Sequence, residues 1–232
     1  MNLTIRFTWT TKTPLRIHTG MARAGGVDRM VRMTGNKPVL PGEAVKATIR
    51  EAAERILRWQ KMNTLKESDK SSIPEHPALR RIFAPHAGSS SPARYFFRGS
   101  VASNGSGDPP IRKMEVTSTA IEKNTGVADD SMLRSIELWR PEIKFDIVVE
   151  GINGDWEAGK PDYADLNLLL MSITAADAIG GGWGVGCGEL SISDLKYQVS
   201  SKAWAKVEFS DVVAFQASME AIGKNPAPEV NS

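Results

Sequence analysis

The chain is 232 residues long, 41% hydrophobic and 24% charged, with a formal net charge of +2, a globular composition that allows one large domain or one domain with an inserted lobe. No run of about 18 apolar residues is present, which excludes a membrane-spanning helix. Cys187 is the single cysteine and excludes an internal disulfide or a multi-cysteine zinc site, while His18, His76 and His86 are too scattered for a histidine metal cage.

Residues 3–9 alternate apolar and polar side chains at period two and predict a half-buried strand. The chain opens on this strand rather than on a charged-then-apolar leader, which predicts a cytoplasmic protein. Thr13-Pro14 ends it, and the glycine-punctuated residues 20–42 predict a long loop. Pro41-Gly42 then starts a helix, in which Val45, Ile49, Ala52, Ala53, Ile56 and Leu57 recur at helical spacing as far as Trp59. Residues 61–92 are polar, apart from a short helical signal at 78–83. Residues 94–101 predict a strand, 103–110 a loop tip, 111–140 a basic, Thr-rich segment, and 144–152 another strand.

A second helix is predicted from 163 to 179, with Leu166, Leu169, Leu170, Ile173 and Ala176 on its buried face. Six glycines follow within residues 180–188, then a strand over 189–199. The order strand–helix–strand–strand–helix–strand is that of an α+β, split βαβ, ferredoxin-like (RRM-like) domain. It spans residues 1–200, with 61–140 as an inserted lobe, 201–223 as a C-terminal extension and 224–232 as a disordered tail.

Charge is unevenly spread. Residues 1–60 carry 11 Lys and Arg against 4 Asp and Glu, whereas residues 146–232 carry 5 against 13. A basic N-terminal part points to a polyanion surface on one side, although solubility charge alone produces such a bias. Three segments could carry chemistry. Lys46 and Arg50 stand four apart on one helix face, opposite much of the apolar stripe, near a helix N-terminus whose free N–H groups favour phosphate. Read alone, this is equally a solvated face. The glycines of 180–188 let backbone approach a phosphate, or simply make a tight helix-to-strand connection; they match neither a Walker motif nor a dinucleotide fingerprint. Residues 115–126 offer hydroxyls and one cation.

In order and spacing, these segments resemble the RAMP superfamily of CRISPR proteins, and more narrowly its type III effector backbone subunit. That group shows Leu-Pro-Gly-Ser-x-Leu-Lys-Gly-x-x-Arg on its first helix, Thr-Ser-Thr-Ala-Ile-Asp-Arg-x-Thr-Gly, and Gly-Gly-Gly-x-x-x-Gly-x-Gly after its second helix. Here stand Leu40-Pro-Gly with Lys46 and Arg50, Thr117-Ser-Thr-Ala-Ile with Lys123 and Thr125-Gly126, and the glycines of 180–188. The resemblance covers about residues 3–199. This chain departs from the pattern at Glu43, at Glu122-Lys123, and at Trp183-Gly184-Val185, where a basic residue or serine is usual.

The resemblance implies a subunit that polymerises along a CRISPR RNA guide with copies of itself and other effector subunits, against target RNA or DNA and away from any membrane. An inserted hairpin, the thumb, would lie within 100–140 and fold over the guide. RNA contacts would come from Arg16, His18, Arg23, Arg29, Arg32, Lys46, Arg50, Thr117, Thr119, Lys123, Gly181, Gly182, Trp183 and Gly184, those of the glycine loop through backbone N–H groups or stacking on Trp183. Asp28 matches by position the loop aspartate that cleaves target RNA, where it would hold Mg²⁺ beside the scissile phosphate and help activate the ribose 2′-OH. Arg29 or Arg32 would offset the developing charge. Three other readings stand beside this one: an inert backbone subunit, a guide-processing endoribonuclease with His18 as general base, and a module unrelated to RNA whose glycine loop holds a small phosphorylated ligand.

Overall fold

A computed structural model describes residues 1–22, 29–64, 77–83, 94–103, 110–121, 128–156, 160–181, 186–200 and 202–207. In chain order the elements are β1 (Leu3–Thr11), β2 (Met33–Thr34), β3 (Lys37–Leu40), α1 (Gly42–Thr64), α2 (Pro77–Phe83), β4 (Tyr95–Phe97), β5 (Ser100–Val101), β6 (Lys113–Ile121), β7 (Ala128–Trp139), β8 (Lys144–Gly151), α3 (Pro161–Thr174), β9 (Leu190–Val199) and β10 (Ala205–Lys206). The architecture is mixed α/β around a five-stranded antiparallel sheet of order β10-β9-β1-β8-β4.

Period-two patterning places β1 at the centre. Leu3, Ile5, Phe7 and Trp9 are buried, and Ile5, Phe7 and Trp9 face Val149, Ile147 and Phe145 across the β8 ladder. Helices α1 and α3 close this face: Val45, Ile49 and Ala52 of α1 and Leu166, Leu169 and Ile173 of α3 join the same core. Ile192 of β9 packs against that core only partly buried. A bulge in β9 explains the pattern there. Register shifts between Arg6 and Thr8, and Asp194 takes φ 55, so the inward parity changes from Leu190 and Ile192 to Leu195 and Val199.

Helix α3 is buried nearly all round, Asp165, Asn167 and Ser172 included. Its two acidic positions are met by arginines. Arg81 of α2 forks onto Asp165 (2.8 and 2.7 Å), and Arg94 forks onto Asp162 (2.9 and 2.8 Å). Burial pushes the Asp162 carboxyl up, but the Arg94 fork and the Asp155 N–H hold it below its ordinary range. For Asp165, burial dominates and raises it against the Arg81 fork.

Three expectations change. Residues 20–42 contain the β2–β3 hairpin, turned at Gly35 with φ 57; two-residue β2 is too short for periodicity to reveal. The strand expected over 94–101 splits, β4 joining the main sheet and β5 pairing with β3. Residues 113–121 and 128–139, within the basic, Thr-rich segment, form the β6–β7 ladder from Lys113↔Trp139 to Ile121↔Ala128. Helix α3 begins at Pro161, whose fixed φ suits the first turn, and stops at Thr174 because Ala178 and Ile179 pair with Glu189 and Gly188. The C-terminal tail lies outside the described residues.

Candidate nucleic-acid interface

Beyond β1 the chain runs through residues 12–19 as a strap held on two sides. On one side are the ends of the glycine loop. The Lys12 N–H donates to the Glu189 carbonyl (2.8 Å), and Pro14 and Arg16 carbonyls accept from the Gly188 and Gly181 N–H groups (2.9 Å each). Two glycines make this approach possible. At Gly180 (φ 84) a Cβ would crowd the Arg16 carbonyl, and at Gly188 (φ 80) the Ile179 carbonyl.

On the other side stands the base of the β6–β7 hairpin. Leu15 and Trp139 exchange both backbone hydrogen bonds (2.9 and 3.0 Å). His18 donates its Nε2–H to the Glu137 carbonyl at 3.2 Å, which leaves Nδ1 as the acceptor. Residues 29–32 lie against both: Arg32 N–H donates to the Ile17 carbonyl (2.8 Å), and Glu137 N–H to the Arg29 carbonyl (3.1 Å). The Glu137 carboxylate, 5% exposed, accepts the Val31 N–H at 3.3 Å and lies 3.7 Å from the Lys113 ammonium.

The strap therefore gathers Arg16, His18, Arg29 and Arg32 between the glycine loop and the hairpin. Arg29 and Arg32 are exposed and Arg16 half-buried, and among the described residues no carboxylate pairs with any of the three. Burial lowers the pKa of His18, opposed by its bond to Glu137 and reinforced by the Arg16 and Arg29 charges. The neutral imidazole is thus a joint in this frame. Thr117 is exposed on β6, its hydroxyl 3.4 Å from that of Ser135.

Two predicted contacts fall elsewhere. Lys46 and Arg50 flank the buried stripe of α1 instead of opposing it, because successive helix positions turn by about 100° and both follow directly on Val45 and Ile49. Both are half-buried, and Arg50 bonds Glu54 at 2.8 Å. The opposite flank of α1 faces the glycine loop, across a cleft lined by Thr48, Glu51, Arg55, Asp177, Cys187 and Glu189 among others. Three carboxylates against one arginine make a poor phosphate cradle. Arg55 is moreover committed to Asp177 (2.9 and 3.0 Å) and the Ala175 carbonyl (2.9 Å), and this pairing holds the Asp177 carboxyl below its ordinary range. The Gly181 N–H serves the Arg16 carbonyl, so this glycine anchors the strap.

Asp28, Arg23, Thr119, Lys123, Gly182, Trp183 and Gly184 lie outside what the structure describes of side chains or backbone. Sequence reasoning missed Glu137 and Arg55. For Glu137 a signal existed, one acid inside the apolar run Ile136-Glu-Leu-Trp139, which marks a buried carboxylate with a dedicated partner.

The RAMP superfamily model matches residues 8–191. Among solved structures, a chain of "Cryo-EM structure of the Type III-B Cmr-beta bound to cognate target RNA" is similar over 84% of this chain, with TM-score 0.55 and 14% identity. This chain spans 60% of that one. No curated protein sequence matches.

Proposed function

This chain belongs to the RAMP superfamily, and from that premise we propose that it is a guide-RNA-binding backbone subunit of a CRISPR type III-like effector complex. The observation that carries the reading is the strap of residues 12–19, clamped between the ends of the glycine loop and the hairpin, with Arg16 on it and Arg29 and Arg32 beside it, none of them paired with a carboxylate among the described residues. Guanidinium groups on a hydrogen-bonded frame suit the phosphates of a single strand, while sequence is left to base pairing. The sheet order β9-β1-β8-β4, with α1 and α3 as the two crossovers, supports a ferredoxin-like palm. We read the β6–β7 hairpin as the thumb. The partners are then a CRISPR RNA guide, target RNA, further copies of this chain and other effector subunits, as fits the Cmr neighbour bound to target RNA.

Cleavage of the target by Asp28 is part of the proposal. Arg29 follows it directly, and residues 29–32 are anchored by Glu137 and Ile17, so this frame can position a carboxylate close to RNA. Among the described residues no trio of His, Cys, Asp or Glu gathers at one point. Mg²⁺ would then rest on Asp28 and on phosphate oxygens, a coordination this ion accepts, and it would offset charge at the reacting phosphate. In this scheme Asp28 orients the 2′-OH region of the target, and Arg29 or Arg32 faces the developing negative charge.

Two experiments test this reading. Replacing Arg16, Arg29 and Arg32 with alanine should reduce the salt slope of oligouridine binding by about 2, at roughly 0.7 per lost phosphate contact; an unchanged slope removes the strap from the interface. Target cleavage by wild type and Asp28→Ala, at matched complex occupancy, tests catalysis. Equal cutting clears Asp28 of the role, and no cutting by either makes the subunit a passive scaffold.

A further inference from the structure

We propose that the outer face of the central sheet carries a second single-stranded nucleic-acid site, built from Arg6, Lys196, Lys206 and Trp204. Arg6 of β1 faces Lys196 of β9 in register, and Lys196 faces Lys206 of β10. Directly paired residues project from the same side of a sheet. Because β1 buries its odd-numbered residues, that side is the one away from α1 and α3. Three cations thus stand in a row across three neighbouring strands, all exposed. Like charges directly opposite one another are destabilising, yet among the described residues no carboxylate pairs with any of the three.

What lies against the row is an aromatic ring. The Arg6 guanidinium sits 5.1 Å and the Lys196 ammonium 5.5 Å from the centre of the Trp204 indole, which stays 38% exposed. Composition makes the placement stand out. Residues 146–232 hold 5 Lys and Arg against 13 Asp and Glu, and three of those five gather here: Lys202 and Lys206 lie two residues either side of Trp204, and Lys196 pairs with Lys206. An exposed indole beside a row of cations is the combination that binds single strands, through base stacking and phosphate pairing together. The site differs from the strap. Arg6 stands six residues back along the chain from Lys12, about 20 Å of extended strand.

The test uses the full chain and fluorescein-labelled oligouridine, with ultraviolet crosslinking of bromouridine RNA mapped by mass spectrometry. Trp204→Leu, which leaves charge unchanged, should weaken binding roughly tenfold, the worth of one stacked base, while Trp204→Phe stays within a few-fold of wild type. Alanine at Arg6, Lys196 and Lys206 together should lower the salt slope by about 2 and leave the melting temperature no lower, since repulsion is relieved. Crosslinks on residues 196–207 should vanish in this variant while those on residues 12–32 persist. Wild-type crosslinks confined to residues 12–32, with unchanged affinity in every variant, overturn the proposal. So does unchanged RNA binding accompanied by altered self-association in sedimentation, which makes the patch a protein contact. Crosslinks at Trp204 without any on residues 12–32 support this site and sink the strap as guide interface.

Discussion

Gly188 and Gly186 separate two uses of the same residue. Both have φ 80, but a Cβ at Gly186 meets open space, whereas one at Gly188 drives into the Ile179 carbonyl. Gly186→Ala should therefore cost only the left-handed backbone penalty, about 1 kcal/mol. Gly188→Ala should cost at least about 3 kcal/mol, because a hydrogen-bonded segment must also move; denaturant midpoints of the two variants check the ranking. His18 provides a pH prediction. Its folded pKa lies below the ordinary 6.5, so the unfolded chain binds more protons just below that pH. Stability is then complete above about 6.5 and falls as pH drops through the lowered folded value. His18→Gln, which keeps a donor toward Glu137, should flatten melting temperature against pH between 7 and 5. At this scale the sequence named cations but not their surroundings. Arg16, Arg29 and Arg32 come together, while Arg50 is occupied by Glu54 and Gly181 by Arg16, partners that chain position alone does not reveal.

Among elements, β9 shows why alternation is incomplete evidence. Leu190 and Ile192 face inward at even positions, Leu195 and Val199 at odd ones, and the extra residue Asp194 absorbs the difference at φ 55. Asp194→Gly should be neutral or stabilising by up to about 1 kcal/mol, and Asp194→Val should cost about 1–2 kcal/mol, since a β-branched residue resists that conformation. Deleting Asp194 forces one half of the strand to expose its apolar side chains; loss of a cooperative melt would show it. Strands β1 and β8 and the core of both helices were legible because each buries one face or stripe. Elements stabilised by distant partners were not. The β2–β3 hairpin depends on β5, and α3 ends where Ala178 meets Glu189.

For the whole molecule, family membership was legible from three short motifs in order, although the structure assigns them different duties. The glycine loop and hairpin base converge on the strap, while the Lys46–Arg50 flank of α1 turns away from the glycine loop. A clean separation of basic and acidic parts was also too simple, since Lys196 and Lys206 sit beside Arg6. Topology carries a kinetic prediction. Among the described residues the central strand pairs with residues 144–151 and 190–199, so its sheet contacts are remote in sequence and refolding from urea should be slow, on the order of a second. Stopped-flow tryptophan fluorescence reads this directly.

That topology also sets a schedule for synthesis. Strand β1 carries Ile5, Phe7 and Trp9, and its second neighbour begins only at Leu190. Translation at about 5–20 residues per second leaves those side chains without one of their two flanking strands for roughly 10–35 seconds. The nascent chain is therefore a natural client for a chaperone that shelters apolar segments.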